Sequence, residues 1–421
     1  MWNAVPLLGK LIENTVDNGV VLLLVAITKQ GTIISLGDKF LDKQKLLKLR
    51  EVKKFYCPVC KQEVVLKLGT KLSWHFAHKK NSRCHEELEG ETVYHINGKK
   101  LLYEWLKIQG FDVHLEAYIK EAKQRPDLLV HIEKNTFAIE FQCAKISPEL
   151  FLKRTNTYRT YNYIPIWILG GNQLTRDKGN FFKLNSFHWL FTYHSKLEKD
   201  RVQLLTFCPQ NKQFGKLHNI TPLSVNRSFA FPTFFPLDKF HFYSIFKPHS
   251  YLVPKEIWYR TKSFWRQHRL RLSQSEQYVR DLYIRKGHPL WLFPSEAGVP
   301  SPSYYFIETP TYIWQSWILE TFVVNRNPGE RFHFTIVKRA FHTVVQKAIF
   351  RIRTLPLIEF GSWEIAVQNY LLFLCTINVL TTTDGQLFVK KKDIVYPKNI
   401  EQALIEDKQL VVDRFKERGI K

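Results

Sequence analysis

The stretch Gln124–Ser147, QRPDLLVHIEKNTFAIEFQCAKIS, constrains the fold more than any other part of the chain. Leu, Val, Ile and Phe alternate through two short runs, the signature of paired strands. Asp127, Glu140 and Gln142 interrupt those runs. Suppose the runs form a hairpin around Lys134-Asn135, where Asn tolerates positive φ. Glu133 then pairs with Thr136, Leu129 with Glu140 and Asp127 with Gln142. One face is Leu128, Val130, Ile132, Phe137, Ile139 and Phe141, wholly apolar. The other carries Asp127, Leu129, His131, Glu133, Thr136, Ala138, Glu140 and Gln142. Directly opposed residues share a face, so Asp127 and Glu140 are diagonal neighbours, close enough to share one divalent cation.

Two carboxylates beside a backbone carbonyl make a hard oxygen site suited to Mg²⁺, or to Mn²⁺. The chemistry implied is metal-assisted hydrolysis, the ion acidifying a bound water, orienting a phosphate and stabilising the leaving oxygen. An ordinary solvated sheet face would carry the same residues. Glu91, His95 and Lys99 recur at i, i+4 and i+8 on the preceding helix, so Glu91 could complete a metal cage. Glu116 is a further candidate for that cage.

The flanks set these strands in a wider order. A helix is predicted from Glu86 to about Trp105, with strands at Phe111–Ile119, Pro126–Glu133 and Thr136–Gln142. Ser147 and Pro148 open a helix to Tyr163 as N-cap and N1 residue. Ile164–Gly171 then reads as a buried strand, giving α-β-β-β-α-β. In that helix Arg154 and Tyr158, at i and i+4, could hold a phosphate backbone or pack as a stripe.

Upstream, residues 1–19 read as a leader the fold does not need. VVLLLVAITKQGTIISL reads as a hairpin and Asp42–Lys54 as a basic helix. Cys57-Pro-Val-Cys60 can present two thiolates to one ion, and His75, His78 and Cys84 follow closely. A closed set of four such ligands is structural zinc, with Cys57, Cys60, His78 and Cys84 as the expected set and His75 as the substitute. A nuclease metal on His75 and His78 themselves is the lesser alternative.

Downstream the composition changes. Pro- and Phe-rich connections join helical segments at Lys255–Tyr283, Thr311–Val324, Glu330–Phe350 and Trp363–Leu380. The expected organisation is a zinc-finger-like module with a hairpin at 20–86, an α/β domain at 87–200 and a mainly helical basic, aromatic domain at 201–421. Arg260, Lys262, Arg266 and Arg269 make part of the last domain a candidate DNA-binding surface.

Charge points the same way. With 62 Lys+Arg against 38 Asp+Glu, the formal charge is +24, which favours a polyanionic partner. The longest apolar run, Val20–Ile27, is far short of the roughly 20 residues a membrane span needs. Acids precede that run and no small-residue cleavage site follows, against a secretory signal. Six scattered or clustered cysteines in 421 residues suit a reducing cytoplasm better than a disulfide scaffold.

Glu91 on a helix, RPD at Asp127 and IEFQ at Glu140–Gln142, within α-β-β-β-α-β, resemble the PD-(D/E)XK nuclease superfamily. With the CPVC…HFAH module and the basic, aromatic C-terminal part, the chain is more closely similar to the competence protein CoiA family of Gram-positive bacteria. The resemblance is strong over 55–170 and looser after it. It implies a restriction-endonuclease-like core and a cytoplasmic protein of DNA transformation, acting on incoming or recombining DNA. Single-stranded DNA and recombination or DNA-uptake proteins are the partners it suggests. By matched position, Asp127 and Glu140 would be the metal carboxylates and Glu91 the helical acid. The superfamily's third position is usually Lys, and here it is Gln142. Lys99, or Lys145 beyond the strand, could supply the missing ammonium. Two functions follow: a Mg²⁺-dependent deoxyribonuclease, or a non-catalytic DNA-binding recombination accessory on a degenerate nuclease fold.

Overall fold

A computed structural model describes residues 22–37, 41–70, 73–79, 84, 92–195, 198–247, 253–267 and 272–410. The predicted order α-β-β-β-α-β is present: helix Val93–Ile108, strands Asp112–Leu115, Leu128–Ile132 and Asn135–Gln142, helix Pro148–Thr160 and strand Tyr163–Gly170. The first helix starts where the Thr92 side chain accepts the His95 amide. The second starts where Ser147 accepts the Leu150 amide, with Pro148 in the first turn. Each cap satisfies an amide that the helix cannot.

These strands lie in a ten-stranded mixed sheet. Its order is Thr175–Arg176, Phe181–Lys183, Arg227–Pro236, Gln213–Pro222, Glu198–Cys208, Tyr163–Gly170, Asn135–Gln142, Leu128–Ile132 and Asp112–Leu115, with Tyr193–Ser195 beside Glu198–Cys208. Tyr163–Gly170 runs parallel to both its neighbours. Parallel neighbours need a crossover, and helix Pro148–Thr160 supplies it.

The hairpin register differs from the expected one. Ile132 pairs with Asn135 and Leu129 with Ala138, so the loop is Glu133-Lys134. Glu133 takes the left-handed conformation there, at φ +52°. Moving the pairing by two residues preserves both faces, because side chains alternate with period two. Continued past Leu128, this register sets Asp127 directly opposite Glu140 rather than diagonal to it.

Neither face of this hairpin is simply solvated. Val130, Ile132, Phe137, Ile139 and Phe141 share a core with Ile96, Leu102 and Leu106 of the first helix. On the other face Leu129 and Ala138 pack with Ile119, Ala122 and Tyr158. Gly98 permits the close approach of helix to sheet, since a Cβ there would fall 2.0 Å from the Phe141 ring. Among the described residues no helix is long and apolar enough to cross a membrane.

The N-terminal part forms an antiparallel six-stranded sheet in the order Leu22–Leu23, His75–His78, Glu63–Lys67, Phe55–Tyr56, Val25–Thr28, Ile33–Ser35. Helix Lys43–Val52 accompanies it, capped by Asp42. The predicted hairpin and basic helix are therefore both present.

The expected domain boundary at 200 falls inside the central sheet, which continues to Pro236. Helices dominate only after that, at Lys255–Gln267, Gln274–Ile284, Thr311–Ile318, Phe334–Gln346, Trp363–Thr376 and Ile400–Lys408. The helix expected over Lys255–Tyr283 is two, the second opened by a capping box between Ser273 and Glu276. The one expected from Glu330 begins at Phe334, because Arg331–His333 joins a small sheet with Leu380–Thr382 and Leu387–Lys390.

Candidate active site and metal centre

Asp127 and Glu140 meet between two helices, and each is half engaged. Asp127 Oδ2 accepts the Phe141 amide at 2.8 Å and lies 3.2 Å from His95 Nε2. Its Oδ1 makes no hydrogen bond among the described residues and lies 3.7 Å from Lys99 Nζ. Glu140 Oε1 accepts Arg154 Nη2 at 2.5 Å and the Tyr158 hydroxyl. Its Oε2 has no hydrogen bond among the described residues. Among the described residues each carboxylate thus has one oxygen held by hydrogen bonds and one without any.

Their protonation differs. Burial would raise the Asp127 carboxyl, but His95, Lys99 and the Phe141 amide hold it well below the usual range. Glu140 is pushed up to about 7 by burial, with the Asp127 charge adding to it and Arg154 opposing. Close carboxylates part in this way because the charge on one opposes ionisation of the other.

Lys99 is 1% exposed and reaches the site from the first helix. Its ammonium is 2.5 Å from Glu116 Oε1. Glu116 is not part of the carboxylate pair: its Oε2 accepts the Leu24 and Val25 amides at 2.8 and 3.2 Å. It ties the N-terminal sheet to the site helix, and stands at φ +49° to do so. Gln142 donates to the Ala144 carbonyl at 3.0 Å, while Lys145 is exposed beyond the strand. Of the two lysines proposed for the missing ammonium, the fold brings Lys99 to the carboxylates.

Glu91 and Arg269 lie outside the described residues, as do residues 1–19. Of the expected DNA contacts, Tyr158 is fully buried on Glu140, and Arg154 shares that role with about a quarter of its side chain exposed. Lys262 and Arg266 are fully buried around Asp407 and cannot meet a DNA backbone. Arg260 is exposed. The reason is geometric: positions i, i+4 mark one side of a helix without saying whether that side meets solvent or core.

The thiol–imidazole cluster forms with the expected set. One ligand atom from each of Cys57, Cys60, His78 and Cys84 lies within 4.8 Å of the others. Cys60 Sγ is 3.3 Å from His78 Nε2. His75 and His78 stand an odd number of residues apart in one strand and therefore point to opposite faces. His75 bonds the Ser73 carbonyl at 2.8 Å instead. This removes both the substitute ligand and the idea of a metal held by the two histidines together. The donor set fits a soft or borderline cation.

A second donor group was not anticipated. Asp112, His114 and His131 bring ligand atoms within 4.8 Å of one another at the surface. Asp112 and His131 are directly paired across two strands. The legible signal is Asp-x-His in a strand, which puts both side chains on one face.

The fold and site thus define a three-part chain: a cysteine–histidine module, a sheet domain with a buried carboxylate pair, and a mostly helical C-terminal part. Family models match each part: the N-terminal domain of competence protein CoiA over 39–87, its nuclease-like domain over 91–250 and its C-terminal domain over 253–404. The nuclease-like match extends past 200, as the continuous sheet does. Competence protein CoiA of Bacillus subtilis (strain 168) is 32% identical over 349 residues, covering 80% of this chain and 90% of that protein. The chain belongs to the competence protein CoiA family.

Proposed function

We propose that this protein is a metal-dependent deoxyribonuclease of the PD-(D/E)XK type, acting on DNA in the cytoplasm during competence. The observation that carries the reading is the carboxylate pair on adjacent strands, each member with one oxygen fixed and one open. Asp127 and Glu140 would hold Mg²⁺ or Mn²⁺, with Glu91 as a third acid. Such an ion supplies an acidified water and charge neutralisation at phosphate.

The chain's own residues do the rest. His95 and the Phe141 amide orient Asp127, and Arg154 and Tyr158 orient Glu140. Lys99 offers the positive charge that Gln142 lacks, and a fixed cation beside the scissile phosphate stabilises charge developing there. Gln142 keeps the strand end in place through Ala144. Cys57, Cys60, His78 and Cys84 would hold structural Zn²⁺, closed to substrate by having four protein ligands. The binding partner is DNA, and competence or recombination proteins would act beside it.

The test is incubation with linear single-stranded, linear duplex and supercoiled DNA in Mg²⁺, Mn²⁺ or EDTA. Cutting should require the divalent ion and fall at least about 100-fold in Asp127→Ala and in Glu140→Ala. Lys99→Ala should slow cutting while leaving DNA binding intact. Gln142 favours a second reading, a non-catalytic DNA-binding accessory. That reading is established instead if no form cuts and both carboxylate variants bind DNA as wild type does. For the zinc module, Cys84→Ser should lose the bound zinc measured by elemental analysis and lower the melting temperature; an unchanged metal content removes the assignment.

A further inference from the structure

The buried Lys262 and Arg266 leave open where a strand would be gripped outside the carboxylate site. A cleft of about 590 Å³ in the C-terminal part has the chemistry for it. Its walls include Lys338, Arg339 and His342 from helix Phe334–Gln346 and Trp363 and Glu364 from the start of helix Trp363–Thr376. The size is within the range of small-ligand pockets.

The lining pairs cations with an aromatic surface. Arg339 is exposed, and its guanidinium has no hydrogen bond or ion pair among the described residues. Lys338, half exposed, has only a long contact of 3.9 Å to Glu364. The Trp363 ring is half-buried, backed by Phe341 at 5.1 Å and 15°. His342 is exposed and parallel to it within 2°, with centroids 6.2 Å apart. An aromatic plate held rigid from behind, with cations at its side, is how single strands are bound without sequence readout: bases stack and phosphates meet the cations.

Resting on the reading that this chain handles DNA, we propose that this cleft seats a nucleotide of single-stranded DNA. The base lies against Trp363 and His342, and the neighbouring phosphates meet Arg339 and Lys338. A duplex cannot offer a base face to a side wall, so the preference is for single strands. Glu364 opposes the phosphate and limits affinity.

Binding is measured by fluorescence anisotropy on the full chain, without added Mg²⁺ so that no cutting intervenes. The probe is a labelled oligothymidylate of about 20 nucleotides, longer than the sites of roughly 4–16 nucleotides that single-strand grooves occupy. Trp363→Ala should weaken binding about 10-fold. Arg339→Glu should weaken it comparably, and Lys338→Ala with Arg339→Ala should reduce the slope of log K against log salt by about 1.4. Glu364→Gln should tighten binding. Because Trp363 also packs, the exposed Arg339 and the partly exposed Glu364 carry the decision if the tryptophan variant melts early. Wild-type binding unchanged by Arg339→Glu and Glu364→Gln overturns the cleft and leaves the nuclease reading standing. Equal losses on duplex overturn the single-strand preference, and tighter binding of oligouridylate overturns the choice of DNA. Absence of any binding by wild type overturns the cleft and DNA handling together. Cutting in Mg²⁺ by Arg339→Glu, scored separately, tests the carboxylate site alone.

Discussion

Two buried charge clusters in this molecule are opposite in construction. In the C-terminal part, Asp407 is saturated: Arg266 Nε and Nη2 donate to its two oxygens at 2.6 and 2.8 Å, and Lys262 Nζ stands at 2.7 Å. Arg266 Nη1 also donates to the Trp291 and Phe293 carbonyls and Lys262 Nζ to the Ser295 carbonyl. All three side chains are sealed from solvent. Around Asp127 and Glu140, by contrast, one oxygen of each makes no hydrogen bond among the described residues; Glu140 is 3% exposed, but Asp127 and His95 remain 14% and 18% exposed. A closed cluster joins elements; here it locks helices Lys255–Gln267 and Ile400–Lys408 together. An open one keeps capacity for a ligand.

Stability should separate the two most sharply. Asp407→Ala leaves two buried cations unpaired, which costs about 3–5 kcal/mol. Denaturant unfolding of the variant against wild type reads this as a lowered midpoint. Asp127→Asn should cost much less in the same experiment, because Lys99 keeps Glu116 and the Phe141 amide keeps an acceptor. An Asp127 variant that unfolds as readily as the Asp407 variant would erase the distinction drawn between them.

The close approach of helix and sheet can be broken on its own. Gly98→Ala gains about 1 kcal/mol in helix propensity, yet its Cβ meets the Phe141 ring at a distance no real contact shows. Overpacking costs about 1–3 kcal/mol, so the net expectation is destabilisation. Moving the helix also moves His95 and Lys99, so cutting should fall by more than the stability change explains. A variant as stable and active as wild type would show that the helix can stand further out.

Much of this is legible in the sequence alone. Period-two alternation across Asp127–Gln142 assigned both faces correctly, and the error of two residues in register left them unchanged. Cys-x-x-Cys with a following Cys was also readable, as was His78 in the set, while the strand that separates His75 from His78 supplies the reason. What could not be read was burial set by distant partners. Asp407 lies 141 residues from Arg266, so nothing near Arg266 says that it faces inward. Likewise the spacing of Arg154 and Tyr158 left phosphate contact and packing equally open, and their bonds to Glu140 could not be read because Glu140 reaches them only through the crossover. The last long strand of the central sheet, Arg227–Pro236, was missed because its Pro- and Phe-rich run resembles a connection.

The last expectation is a pH slope that belongs to the open cluster. Glu140 ionises near 7 in the folded chain, against an ordinary value of 4.5. Between those values the folded state holds a proton that the unfolded state has released. Stability therefore falls as pH rises from about 4.5 to 7, by no more than about 1.4 kcal/mol per pH unit for one group. Asp127, held low, contributes the opposite sign at lower pH, losing stability as acid protonates it. Thermal or urea unfolding without added divalent ions should show the falling limb in wild type, and Glu140→Gln should flatten it whatever that variant's absolute stability. Added Mg²⁺ should flatten it too, since an ion taking the open oxygens favours the ionised acid. A limb that persists in Glu140→Gln would assign the proton to another group and leave the carboxylate pair ionised together.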